Sequence, residues 1–151
     1  MRLFGHPLHT QVNHFHLALL PSGVVFEVLA RWLSVPDLSS AALYAWALGY
    51  VGLVASVVTG LPDLLRLAGS AARTGLLHAA LGSALLLLFG LALWARLQGA
   101  GDLALVLALV GTGVTLFTSW VGGQLVYVHG AGVRPTASVG DPGAYTRRGA
   151  P

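Results

Sequence analysis

Cysteine and lysine are both absent from the 151-residue chain, and only 9% of its residues are charged. Without thiols it forms no disulfide, no iron–sulfur cluster and no thiolate zinc site, so any metal must be held by nitrogen or oxygen. Histidine, which occurs six times, becomes the main candidate ligand. The shortage of charge excludes more. A soluble domain carries roughly 25% charged residues, whereas 56% of this chain is hydrophobic and its mean hydropathy is +0.78. Such a composition belongs in a bilayer. The net charge of +3 comes from arginines scattered along the chain with no basic run, which argues against nucleic acid. No serine has a visible base partner and no phosphate loop occurs, so an electron carrier or binding protein is expected rather than a stand-alone enzyme.

Four apolar runs, at about residues 12–33, 41–61, 74–95 and 103–128, are each long enough to cross ~30 Å of hydrocarbon as a helix rising 1.5 Å per residue. The breaks between them are short. Pro36 is expected to end the first span, the serines after it to cap the second, and Asp102 to cap the fourth. Short connections force antiparallel neighbours, so the expected fold is all-α: an integral membrane, up-down-up-down four-helix bundle over residues 1–133. Residues 134–151, rich in Pro, Gly, Ser and Thr, are expected to form a flexible tail. The first run lacks a small-residue cleavage site and is expected to stay in the mature protein. One side of the membrane receives Arg2, Arg66, Arg73, Arg134, Arg147 and Arg148, the other only Arg31 and Arg96. This bias predicts that both termini lie in the cytoplasm. Trp32, Trp46 and Trp94 fall at the far helix ends, as an outer aromatic belt would.

On this topology His6, His9, His14, His16, His78 and His129 all fall on the cytoplasmic side, where the second span delivers Asp63. Helical phase adds to the clustering. Gly49, Gly52, Ser56, Thr59 and Asp63 form one stripe on the second span; Gly111, Thr115, Thr118, Gly122 and His129 form another on the fourth; Gly75, His78 and Gly82 form a third. Small residues let helices approach closely or leave a slot for something flat. On the first span His9, Asn13, His16, Gly23 and Glu27 share one face and His14 another, so His14 and His16 do not both point to the centre. Glu27 stands about halfway along a spanning helix, with Arg31 one turn later as the simple partner and an ion pathway as the alternative.

Three chemistries fit. A b-type haem needs two axial imidazoles on facing helices, and the first and third spans lie diagonally across a four-helix bundle, so His14 or His16 with His78 would clamp the iron. Arg66 and Arg73 would meet the propionates, and Asp63, Thr59 or Gln124 would hold the imidazoles' other nitrogens. Alternatively, His9, His14, Asp63, His78 and His129 would converge on a divalent Zn, Fe, Ni or Cu ion in a metal-binding, transport or sensing protein; no HExxH-type local motif accompanies them, so the identity of the metal is open. The third possibility is a structural or interaction subunit whose polar bundle end binds nothing.

Gly5-His6-Pro7-Leu8-His9 followed by His14-Phe15, Thr59-Gly-Leu-Pro-Asp63, a histidine early in the third span, and the stretch from Trp120 to Val133 with Tyr127 and His129 resemble the DUF2231 family of small predicted membrane proteins over about residues 5–133. The resemblance implies a four-helix bacterial membrane domain whose relatives sometimes accompany Rieske-type iron–sulfur domains, hence redox work. That association implies a Rieske-like redox partner; a quinone is the other candidate partner, and the many lipid-facing leucines and surplus glycines leave a homo-oligomer open. By position it carries over His6, His9, His14, Asp63, His78, Tyr127 and His129, adding His6 to the possible metal ligands and Tyr127 to the groups around them. The family often has proline where Thr10 and His16 stand and glutamate where Gln124 stands. That pattern implies His14 rather than His16 as the shared ligand, leaves His16 among the surrounding groups, and implies that a site needing a carboxylate at 124 is altered here. His14 with His78 is therefore the expected axial pair, with His9 and His129 next.

Overall fold

The computed structural model describes residues 2–3 and 6–133, with side chains from residue 8 onward. Two short strands, β1 (Arg2–Leu3) and β2 (His6–Pro7), pair antiparallel with Arg2 opposite Pro7. They lead into four helices: α1 (Leu8–Leu33), α2 (Pro36–Leu64), α3 (Gly69–Leu97) and α4 (Gly101–Tyr127). At 26 to 29 residues each is about 39–44 Å long, enough to span the hydrocarbon and reach into both headgroup layers. All four are also apolar enough to cross a membrane. The expected all-α, four-helix architecture is therefore the one found.

The helices start earlier than the apolar runs. Hydropathy marks where hydrocarbon begins, whereas backbone hydrogen bonding continues into the polar layer, so α1 already contains His9 and α3 begins five residues before position 74. Pro36 opens α2 instead of ending α1: it occupies the first turn, where its missing N–H is no loss, and no side chain caps the helix. Asp102 likewise lies within the first turn of α4 and does not cap it. Helix α1 ends at Ser34, held at a φ of 57°, with the Val35 N–H reaching the Ala30 carbonyl at 3.0 Å. Gly99 closes α3 the same way at a φ of 79°, with Ala100 N–H donating to Ala95 O at 2.9 Å.

Helix α1 packs chiefly on α2 and α3 on α4, and the α2–α3 and α1–α4 contacts close the ring, leaving α1 and α3 diagonal. The middle is filled by Leu20, Trp46, Leu53, Leu85 and Phe89 with alanines between them. Leucines and valines such as Val51, Val58, Leu87 and Leu116 point outward as a lipid-facing surface. Trp32 and Trp94 are exposed as a belt requires, but Trp46 is 0% exposed. It lies so close to Gly23 that a Cβ there would stand 2.4 Å from its Cδ1. The indole fills the gap that the missing side chain opens, so Trp46 is core and no belt residue.

Candidate functional site

At the end of the bundle where the chain enters α1 lies a cavity of about 730 Å³ lined by residues of all four helices. Its walls are largely apolar, from Leu17, Leu53, Val57, Leu64, Leu85 and Val126, and its polar groups are mainly imidazoles. His9 on α1 and His78 on α3 face each other across the diagonal, ring centroids 6.1 Å apart and planes at 89°.

Each ring is anchored through the same atom. His9 Nδ1 donates to the Ser56 carbonyl at 2.8 Å, and His78 Nδ1 donates to the Thr118 carbonyl at 3.2 Å. A carbonyl can only accept, so both Nδ1 atoms carry hydrogen, and in the neutral ring Nε2 keeps its lone pair. Among the described residues no hydrogen bond engages either Nε2. A metal-ligating imidazole is prepared in this manner, with one nitrogen fixed on the backbone and the other presented. Ser56 adds to the support: its Oγ lies 3.3 Å from His9 Nδ1 and donates to Asn13 Oδ1 at 2.8 Å. Two glycines make room for the rings. A Cβ on Gly60 would stand 2.9 Å from His9 Nδ1, and one on Gly122 would stand 3.1 Å from His78 Cε1.

His16, two turns beyond His9 on the same face, is 4% exposed, and its buried Nδ1 has no hydrogen-bond partner among the described residues. His14 also lines the cavity but is exposed. Of the two histidines it is therefore His16, and not the expected His14, that the bundle buries. Helical phase decides it, because the buried face of α1 runs through Leu20, Gly23, Val24 and Glu27, which places position 16 inside and rotates position 14 away.

The remaining candidates divide. Asp63 and Arg66 line the cavity and face each other at 3.7 Å, whereas Arg73 is exposed and does not line it. His129 stands outside, its Nε2 3.1 Å from Thr74 Oγ1. Thr59 turns back to the Ala55 carbonyl at 2.8 Å and Gln124 is not on the wall, so neither holds an imidazole. Tyr127 is on the wall yet largely exposed. The side chain of His6 lies outside the described residues. Among the described residues no three His, Asp or Glu side chains gather closely enough to hold an ion between them. The convergence of five ligands from several segments does not occur, because His14 and His129 are displaced from the diagonal pair.

Ser56, Asn13 and the two carbonyls are the supports that sequence reasoning did not assign. Ser56 lay on a small-residue stripe and Asn13 one turn from His9, which is a usable signal; a backbone acceptor leaves none.

The opposite end is built differently. Glu27, 2% exposed, accepts from Arg31 Nε at 3.0 Å and from Ser39 Oγ at 2.7 Å, with Arg96 Nη2 at 3.6 Å. Arg31 also bonds Asp102, and Arg96 bonds Ser39. One network thereby ties all four helices. The simple ion-pair reading of Glu27 holds and extends further than Arg31 alone.

The family model DUF2231, described as a predicted membrane protein, matches residues 5–135. No curated protein and no solved structure matches the chain.

Proposed function

We propose, for a chain that belongs to the DUF2231 family of predicted membrane proteins, that the histidine end of the bundle binds a b-type haem between His9 and His78 and serves as an electron carrier. The observation that supports this most directly is the diagonal pair of imidazoles, each with Nδ1 tied to a backbone carbonyl. Ligand number separates haem from a bare ion. A tetrahedral zinc site needs three or four protein ligands, and no such group gathers here among the described residues. A porphyrin brings four nitrogens of its own and asks the protein for two. The 6.1 Å between the ring centres leaves room for one metal bonded to both rings at ~2.0–2.1 Å. The cavity of about 730 Å³ is within the roughly 300–1,000 Å³ of cofactor sites.

Haem iron, when bound, supplies one-electron chemistry. The residues do the rest. The Ser56 and Thr118 carbonyls fix the tautomer and aim of the two rings, the apolar walls exclude water, and Arg66 at the rim is placed to meet a carboxylate. The arginine bias orients this end, with both termini, toward the cytoplasm of a bacterial inner membrane. A soluble redox protein would then dock on the cytoplasmic face.

The test is an absorption spectrum of the protein purified in detergent. A Soret band that shifts on dithionite reduction, and that is lost in His9→Ala and His78→Ala but kept in His14→Ala, is the expected result. A featureless visible region overturns the haem reading. Elemental analysis would then find either another metal, as two-histidine ion binding requires, or none, as a purely structural bundle end requires.

A further inference from the structure

We propose that residues 128–133, which follow α4, form a strap at the mouth of the histidine cavity, fastened by His129 on Thr74, and that its release gates the entry and loss of haem. Helix α4 stops at Tyr127, yet Ala131 and Gly132 line the cavity. The chain therefore folds back on the bundle after the helix ends. Arg66 and Leu67, from the connection between α2 and α3, line it as well, so the walls at this end are completed by residues beyond the helices.

Two glycines in the left-handed region make the fold-back. Gly130, at a φ of 66°, ends the helix: its N–H reaches the Val126 carbonyl at 3.1 Å and the Ala131 N–H reaches the Leu125 carbonyl at 2.8 Å, the paired bonds of a Schellman cap. Gly132, at a φ of 78°, is then the third residue of a turn in which the Val133 N–H meets the Gly130 carbonyl at 3.1 Å. These bonds are local and set the shape of the strap. The bond that crosses to another helix joins His129 Nε2 to Thr74 Oγ1 at 3.1 Å. Thr74 stands one turn before His78 on the same face of α3, so the fastening lies beside the ring that serves as an axial ligand. One hydrogen bond between partly buried groups at a helix end holds a segment closed most of the time without locking it, which is the condition a gate needs. The stretch His129-Gly-Ala-Gly-Val133, which the axial pair leaves unused, thereby acquires a role: an imidazole to fasten and two glycines to fold. The inference rests on the haem reading for what the strap retains, and on the chain alone for the fastening.

The full chain is purified in detergent as wild type, His129→Ala, Thr74→Val, the two combined, and His129→Gln, whose amide reaches about as far as Nε2. Hydrogen exchange over residues 128–133 is read by mass spectrometry, and haem loss to excess apomyoglobin is read by the Soret band. His129→Ala is expected to quicken both about tenfold, the factor that loss of one hydrogen bond of ~1.4 kcal/mol produces. Thr74→Val is expected to do the same from the other side, and the double variant to go no further, because the two groups share one bond. His129→Gln is expected to stay close to wild type, which separates a lost bond from a damaged helix end. Unchanged exchange in both single variants, effects that add in the double variant, or faster exchange with unaltered haem loss overturns the inference. A wild type without a Soret band overturns the haem reading and the gating with it, while the exchange rates still decide whether the fastening exists.

Discussion

The two ends of the bundle treat their polar groups in opposite ways. Around Glu27 both carboxylate oxygens have donors, and Arg31, Ser39, Arg96 and Asp102 draw in every helix. Around His78 the rings of His9 and His78 are pinned at Nδ1, with no hydrogen bond at Nε2 among the described residues, and the enclosed Nδ1 of His16 has no partner there. A buried polar group satisfied by its neighbours is architecture; the unbonded Nε2 atoms of His9 and His78 are where the proposed cofactor would bind. The lipid makes this contrast sharper than it would be in water, since an unsatisfied group has no solvent to fall back on.

The comparison can be broken most severely at the histidines. His78→Ala is expected to abolish the Soret band while leaving the helical circular dichroism of the bundle intact; an unchanged band would make the diagonal pair the wrong pair. Next in size is Glu27→Ala. It leaves Arg96 and Arg31 without their shared carboxylate and is expected to cost ~3–5 kcal/mol, the usual penalty for removing one partner of a buried ion pair. Thermal unfolding in detergent should show that loss, with haem per folded chain unchanged. If Glu27→Ala instead depletes haem at undiminished stability, the division of labour between the ends is wrong. Gly23→Ala drives a Cβ into Trp46 and is expected to destabilise by ~1–3 kcal/mol through overpacking, again without spectral change. Ser56→Ala keeps the carbonyl that holds His9 but removes the link to Asn13; ~0.5–1.5 kcal/mol is expected from one hydrogen bond, read as weaker haem retention on titration with a competing apoprotein. Smallest is Asp102→Asn, whose carboxylate is nearly fully exposed. Its unfolding midpoint should not move measurably, since exposed ion pairs contribute little.

Much of the fold was legible beforehand because hydropathy is a property of runs. Four apolar stretches with short polar breaks leave few arrangements, and the helices lie where the runs lie. Their ends did not follow so simply. Helix α1 begins four residues before the apolar run because hydrogen bonding does not stop at the hydrocarbon boundary, and this brings His9 onto a helical face. Pro36 was read as a stop and is a start, since proline's lost N–H is harmless only in a first turn.

The candidate site was legible in part. That histidines and a carboxylate gather at one end follows from counting spans, and the shared face of His9, Asn13 and His16 follows from a 3.6-residue period. Which face turns inward does not follow from α1 alone. The likeness to the family favoured His14, whereas packing against Gly49 and Gly52 of α2 turns His16 inward: a Cβ on Gly49 would meet Leu20, and one on Gly52 would meet Phe15 and the backbone of His16. Trp46 shows the same limit, since a tryptophan near a helix end is belt or core according to what its neighbour lacks.

The sequence by itself determined the solvent of this protein, its four spans, the exclusion of sulfur ligands and the end at which its imidazoles collect, because these depend on composition and on position along the chain. Only the tertiary structure decided that His9 meets His78 across the diagonal, that Glu27 is enclosed by two arginines, that His14 and His129 stand aside, and which nitrogen of each ring is presented. Those outcomes depend on helix rotation and on backbone carbonyls of partner helices. Rotation is set by the sum of contacts from all neighbours, and every residue type carries the same carbonyl, so neither leaves a mark in the one-dimensional text.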